Sequence, residues 1–167
     1  MTTQAIAGVS PESEAVVTTE YPSIAAGGLG QLLGQLYDSI PIRIFGPKVS
    51  YIFALLTAPV AILLYFATKI FGERYVLTNR QIQIWSARGG RKIASASLDD
   101  VGAVEIEQHP GQVFYRAADL RIKKPTGETL IRLRGVPDAG GLRNAILRTV
   151  ESRRLVASSL SRIAARR

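Results

Sequence analysis

The sequence predicts a mainly β domain closed by one C-terminal α-helix and preceded by a single transmembrane helix. Three observations carry this. Between Glu73 and Arg134 apolar and polar residues alternate with period two, interrupted by turn-forming clusters. From Asp138 to about Arg154 the apolar spacing becomes helical. Ahead of both, Val49 to Thr68 runs twenty residues without a charge.

That run is long enough to cross a bilayer. At about 1.5 Å per residue a helix of this length spans roughly 30 Å, the hydrocarbon thickness. Lys48 and Lys69 bracket it, and Tyr51 and Tyr65 sit near its ends, where amphipathic rings prefer to lie. Pro59 is central and predicts a kink. A re-entrant hairpin turning at Ala58–Pro59 and a buried core helix are the alternatives. Lys69, Arg74, Arg80, Arg88, Arg91 and Lys92 follow the run, whereas only Arg43 and Lys48 precede it. This asymmetry places the C-terminal domain in the cytoplasm.

Charge divides the same way. Met1 to Lys48 holds two bases and four acids, and the remainder holds nineteen bases and nine acids, for a net charge of +8. The second part therefore suits an acidic partner such as lipid headgroups, nucleic acid or protein. Residues 1–22 read as a flexible tail, and the absence of an early base argues against a cleavable secretory signal. Residues 23–48 form an arm in which Leu29, Leu32, Leu33, Leu36, Tyr37 and Ile40 recur at helical spacing among Gly27, Gly28, Gly30 and Gly34. Glycines let another backbone approach, so Gly27, Gly30, Leu33, Gly34 and Pro59 are candidates for packing against a membrane partner; an interfacial helix and a plain loop compete with that reading. The predicted membrane segment covers residues 49–71, the β domain 73–154 and a basic tail 155–167.

Within the β domain, Tyr75 and Leu77 face one way and Arg74, Val76 and Thr78 the other. Thr78–Asn79–Arg80–Gln81 makes a turn, because asparagine tolerates the left-handed conformation. Ile82 and Ile84 lie on the return strand, Gly89–Gly90 turns again, and Ile93 to Leu98 is the third strand. Leu98 to Val101 reads as a corner. Val104 and Ile106 face in while Glu105 and Glu107 face out.

A two-residue loop at Thr126–Gly127 pairs Ile122 with Ile131 and Leu120 with Leu133. It also sets Arg121 opposite Arg132, with Lys123 and Arg134 nearby. Opposed arginines are ordinarily unfavourable. The face either binds an anionic partner or is neutralised by Glu105, Glu107 and Asp119. Asp138 is placed to cap the final helix, whose inward stripe is Leu142, Ala145, Ile146, Thr149 and Val150. Arg153, Arg154 and Arg162 extend the candidate anionic-partner surface, alongside Arg121, Lys123, Arg132 and Arg134.

The segments "YVLTNRQIQI" and "ASLDDVGAVEI", followed by a hairpin and a terminal helix, resemble the bacterial pleckstrin-homology-like (PH-like) domains that often follow membrane helices. The resemblance rests on Tyr75, Leu77, Thr78, Asn79 and Arg80 and covers about Glu73 to Arg154. It implies a split β-barrel of about seven strands plugged by the helix; the pattern supplies six, with Gln112 to Tyr115 as the candidate seventh. It carries over no ligand residues.

Chemistry is not evident. The single histidine, His109, and the lack of cysteine leave no transition-metal set, disulfide or thiolate nucleophile. Gly89–Gly90 lacks the lysine and helix of a phosphate loop. No catalytic residues and no cofactor are predicted. The basic hairpin carries no aromatic residue, which argues against nucleic acid. The expectation is a non-enzymatic, single-pass module at the bacterial cytoplasmic membrane, contacting the lipid bilayer and a protein partner. The alternatives are an accessory subunit of a larger energy-transducing membrane complex and a nucleic-acid-binding membrane protein.

Overall fold

The computed structural model describes residues 14–39 and 55–165. Two antiparallel sheets form its centre. Strands β1 (Val16–Glu20), β2 (Glu73–Thr78), β3 (Gln81–Ser86) and β4 (Lys92–Ser97) make the first, in that order. Strands β5 (Ala103–Glu107), β6 (Ala118–Lys123) and β7 (Thr129–Val136) make the second. Helices α1 (Gly28–Asp38) and α2 (Ala58–Phe71) lie between β1 and β2 in the chain, and α3 (Ala139–Ala164) follows β7.

The core joins both sheets and α3. Leu77, Ile82, Leu98, Leu120, Ile122, Leu133 and Ile146 are almost wholly buried within one apolar cluster. Full burial of each such side chain is worth about 1.5–3 kcal/mol. Helix α3 contributes Leu142, Ile146 and Val150, spaced one turn apart on a single face. Its Asp138 cap accepts the Gly141 N–H at 2.8 Å. The helix continues without interruption into the basic tail, as far as Ala164.

The hairpin registers match the alternation. Leu120 pairs with Leu133, Arg121 with Arg132 and Ile122 with Ile131. Its connection is longer than a two-residue loop: Lys124 N–H donates to the Glu128 carbonyl at 2.8 Å, and the register shifts between Ile122 and Lys123. Ile106 is 47% exposed, although Val104 on the same strand is buried, since β5 is an edge strand.

The seventh strand is β1, not Gln112 to Tyr115, which form turns. Val16–Glu20, expected to be part of a flexible tail, pairs with β2 along Val16–Thr78 to Glu20–Tyr75. Asn79 fixes it: the Ala15 N–H donates to Asn79 Oδ1 at 3.0 Å and the Asn79 N–H to the Ala15 carbonyl at 2.9 Å. The carboxylate of Glu14 then accepts from Thr78 Oγ1 and the side-chain amides of Gln81 and Gln83 at 2.7–2.8 Å. A strand that satisfies buried polar groups on its neighbour gains about 1 kcal/mol per bond.

The predicted membrane helix also differs. Helix α2 begins at Ala58, after a turn at Thr57, and is fourteen residues long, about 21 Å. Pro59 sits in its first turn, where a missing N–H costs nothing, and the chain just ahead of the Thr57 turn, at Leu55 and Leu56, is itself helical. Residues 49–54 of the predicted span lie outside the described residues. Among the described residues no helix is long and apolar enough to cross a membrane.

Candidate interaction surface

The outer face of β5–β7 gathers Arg121, Lys123 and Arg132, as the hairpin register requires. The neighbouring strand neutralises it. Glu107 Oε2 lies 2.8 Å from Arg121 Nε, and Glu105 Oε2 lies 2.7 Å from Lys123 Nζ. These pairs are half exposed, and each contributes about 0–1 kcal/mol. Glu107 Oε2 also lies 3.5 Å from Arg132, yet it makes no well-directed hydrogen bond with any of its cationic neighbours.

Arg132 is held from below by Asp119, whose side chain is only 2% exposed. Asp119 Oδ2 accepts from Arg132 Nε at 3.0 Å, and Oδ1 accepts from the Gly135 N–H at 2.8 Å and Gln112 Nε2 at 2.5 Å. Burial pushes this carboxyl up, but those three donors outweigh burial and hold it below the ordinary aspartate value. Arginine has only donors, so the 2.7 Å contact from Arg132 Nη2 makes His109 Nε2 the acceptor. The sequence reading placed Asp119 among the outward acids; the structure buries it.

The C-terminal bases belong elsewhere. Arg153 grips Asp99 with two bonds, of 3.0 and 2.6 Å, and donates to the Asn79 carbonyl at 2.9 Å. Arg154 donates to the Val101 carbonyl at 3.1 Å. Arg134 and Arg162 are exposed. The seven predicted bases therefore do not converge on one surface: three sit on the outer face of β5–β7, and two anchor α3 to the Leu98–Val101 corner.

The arm's glycines are used inside the chain. A Cβ at Gly34 would fall on the Gly111 carbonyl, and one at Gly111 (φ +87°) on the Gln31 carbonyl. Gly30 packs in the same way on the Ile24 carbonyl. Gly27 is exposed and Leu33 half-buried. With its glycine face inward, α1 turns Leu29, Leu32 and Leu36 outward, between 45% and 65% exposed. Pro59 lies on α2, which has no buried residue at all. An apolar groove of about 380 Å³ separates α1 from α2, with Tyr37, Ile62, Phe66 and Phe114 in its walls. Tyr115 lines it too; burial raises its phenol to about 12 and leaves its oxygen without a hydrogen-bond partner among the described residues.

Alternation read Asp119 as an outward acid, because it shares parity with Arg121 on β6, and so gave a signal for its pairing with arginine but not for its burial. Glu14 carried none, since its partners lie more than sixty residues away. Among the described residues no cluster of His, Asp and Glu is arranged to hold a metal ion.

No curated protein and no solved structure matches the chain. Residues 24–150 match the family model of the bacterial PH domain. Domains of this kind are in general non-enzymatic binding modules. The match starts after β1, includes both α1 and α2, and ends within α3. With two antiparallel sheets, a helix closing their shared core and a family match over most of its length, the chain belongs to the bacterial PH-domain family.

Proposed function

We propose that this chain is a non-enzymatic binding module anchored at the cytoplasmic face of a bacterial membrane by the apolar segment that ends in α2. The observation that carries the proposal is the surface of α2. Leu63 is 70% exposed, Phe66 56% and Phe71 73%, and Gly72 alone separates the helix from β2. Large contiguous apolar surfaces on monomers mark membrane or protein contacts. So short a connection holds the PH-like domain directly against whatever covers the helix. The bases that follow the apolar segment favour the cytoplasmic side for the domain.

Alkaline carbonate extraction of membranes from expressing cells tests this. The full chain is expected to remain in the pellet, and Leu63→Arg with Phe66→Arg is expected to release it. Release of the unaltered chain overturns the anchor, and digestion of the β domain by protease added to intact cells overturns its orientation.

A second reading, an accessory subunit of a larger membrane complex, is favoured by the outward leucines of α1. Purification in gentle detergent discriminates between them. Migration of the chain as a lone monomer counts against the subunit.

A further inference from the structure

Trp85 is the chain's one tryptophan, and on the sheet it stands between two cations. It pairs in register with Arg74 on β2 and with Lys92 on β4. The Arg74 guanidinium lies 5.7 Å from the indole centroid and Lys92 Nζ 5.9 Å. The same end of the molecule repeats the arrangement. Arg88, in the β3–β4 turn, lies 4.7 Å from the Phe71 ring, and Lys69 Nζ lies 4.3 Å from the Tyr21 ring and 5.6 Å from that of Tyr65. Every cation–aromatic contact among the described residues falls in this collar around the C-terminal end of α2.

The collar's bases differ from those on β6 and β7 in one decisive way. No carboxylate among the described residues forms an ion pair with Lys69, Arg74, Arg88 or Lys92. Arg74 Nε is buried without a hydrogen-bond partner. Glu20 and Glu73 lie close by in sequence without pairing with these bases, and Glu14 attracts Lys92 only from beyond ion-pair distance. Apolar side chains sit among the cations: Phe71 is 73% exposed and Ile93 50%. Cations beside aromatic rings and exposed apolar groups suit the boundary between headgroups and acyl chains.

We infer that this collar docks the domain on an anionic bilayer surface, with Lys69, Arg74, Arg88 and Lys92 facing lipid phosphates and Phe71 and Ile93 entering the interface. Single-stranded nucleic acid also uses bases among aromatic rings. It needs free ring faces for stacking, whereas here the chain's own cations already lie against the rings. The proposal rests on the anchored reading only for the collar's distance from the bilayer.

Trp85 provides the readout. The full chain is mixed with vesicles of phosphatidylcholine alone or with phosphatidylglycerol added, and followed by sedimentation, carbonate wash and quenching of Trp85 by headgroup-labelled lipid. Quenching is expected to rise with phosphatidylglycerol and to fall with salt. Arg88→Glu with Lys92→Glu, both exposed positions, should weaken the phosphatidylglycerol-dependent part by about twenty-fivefold or more, at about fivefold per base.

Carbonate-resistant sedimentation with both vesicle types, but equal quenching in each, overturns the collar and leaves the anchor. Salt-reversible binding to anionic vesicles alone supports the collar and overturns the anchor. Binding to neither overturns both. A response to a single-stranded oligonucleotide as large as that to anionic vesicles overturns the lipid assignment.

Discussion

Tyr75 and Arg134 clamp the two sheets together: the Tyr75 hydroxyl donates to the Arg134 carbonyl at 2.9 Å and accepts the Arg134 N–H at 3.0 Å. Tyr75 is on β2 and 3% exposed, and Arg134 is on β7. One side chain thus satisfies both backbone groups of a residue in the opposite sheet. Tyr75→Phe keeps the ring and removes the clamp, leaving a donor and an acceptor unpaired. The expected loss is about 1–3 kcal/mol, read as a lower denaturant midpoint for the full chain. Burial raises the Tyr75 phenol above its ordinary value. Its contribution is therefore complete below about pH 10 and is lost as pH rises through the elevated folded value. Absorbance of ionised tyrosine during alkaline unfolding checks this, and titration of all tyrosines together near pH 10 would refute it.

Asp119 behaves in the opposite sense. Its folded carboxyl lies below the ordinary value because the Gly135, Gln112 and Arg132 donors outweigh burial. The stability it supplies is present above the unfolded value, about 3.9, and is lost as pH falls through the folded one. Asp119→Asn should cost about 1–3 kcal/mol at neutral pH and flatten the acid limb of the stability profile. An unchanged acid limb would remove Asp119 from that role.

Gly34→Val should separate α1 from the Gly111 turn without unfolding the sheets, because a side chain there meets backbone on the neighbouring segment. Overpacking of this kind costs about 1–3 kcal/mol. Amides of α1 should exchange faster while those of β6 and β7 keep their protection. Uniform loss of protection would show that the arm and sheets form one cooperative unit.

Arg121→Glu provides the contrast to the collar variants. Glu107 already neutralises Arg121, so binding to anionic vesicles should change less than threefold, within the about 0–1 kcal/mol of an exposed pair. A loss equal to that of the Arg88→Glu, Lys92→Glu variant would return the binding surface to β6 and β7.

What the sequence determined by itself is whatever rests on near neighbours. Alternation set the Leu120–Leu133 and Ile122–Ile131 pairs, the polar run Thr78–Gln81 marked the first turn, although Asn79 does not adopt the left-handed conformation expected of it, and Asp138 marked the start of α3. Each follows from side-chain period or from a cap reaching three residues along the chain. The turn at Asn79–Arg80 also implied that Arg74 opposes Trp85, a consequence that facial patterning by itself does not use. Tertiary structure decided the rest. Only folding brings Glu14 onto Gln81 and Gln83, turns the glycines of α1 toward Gly111, and buries Asp119 under Arg132. It also separates the bases that acids neutralise from those they leave unpaired. These outcomes depend on distant segments meeting, and polar complementarity between such segments leaves no period in the chain.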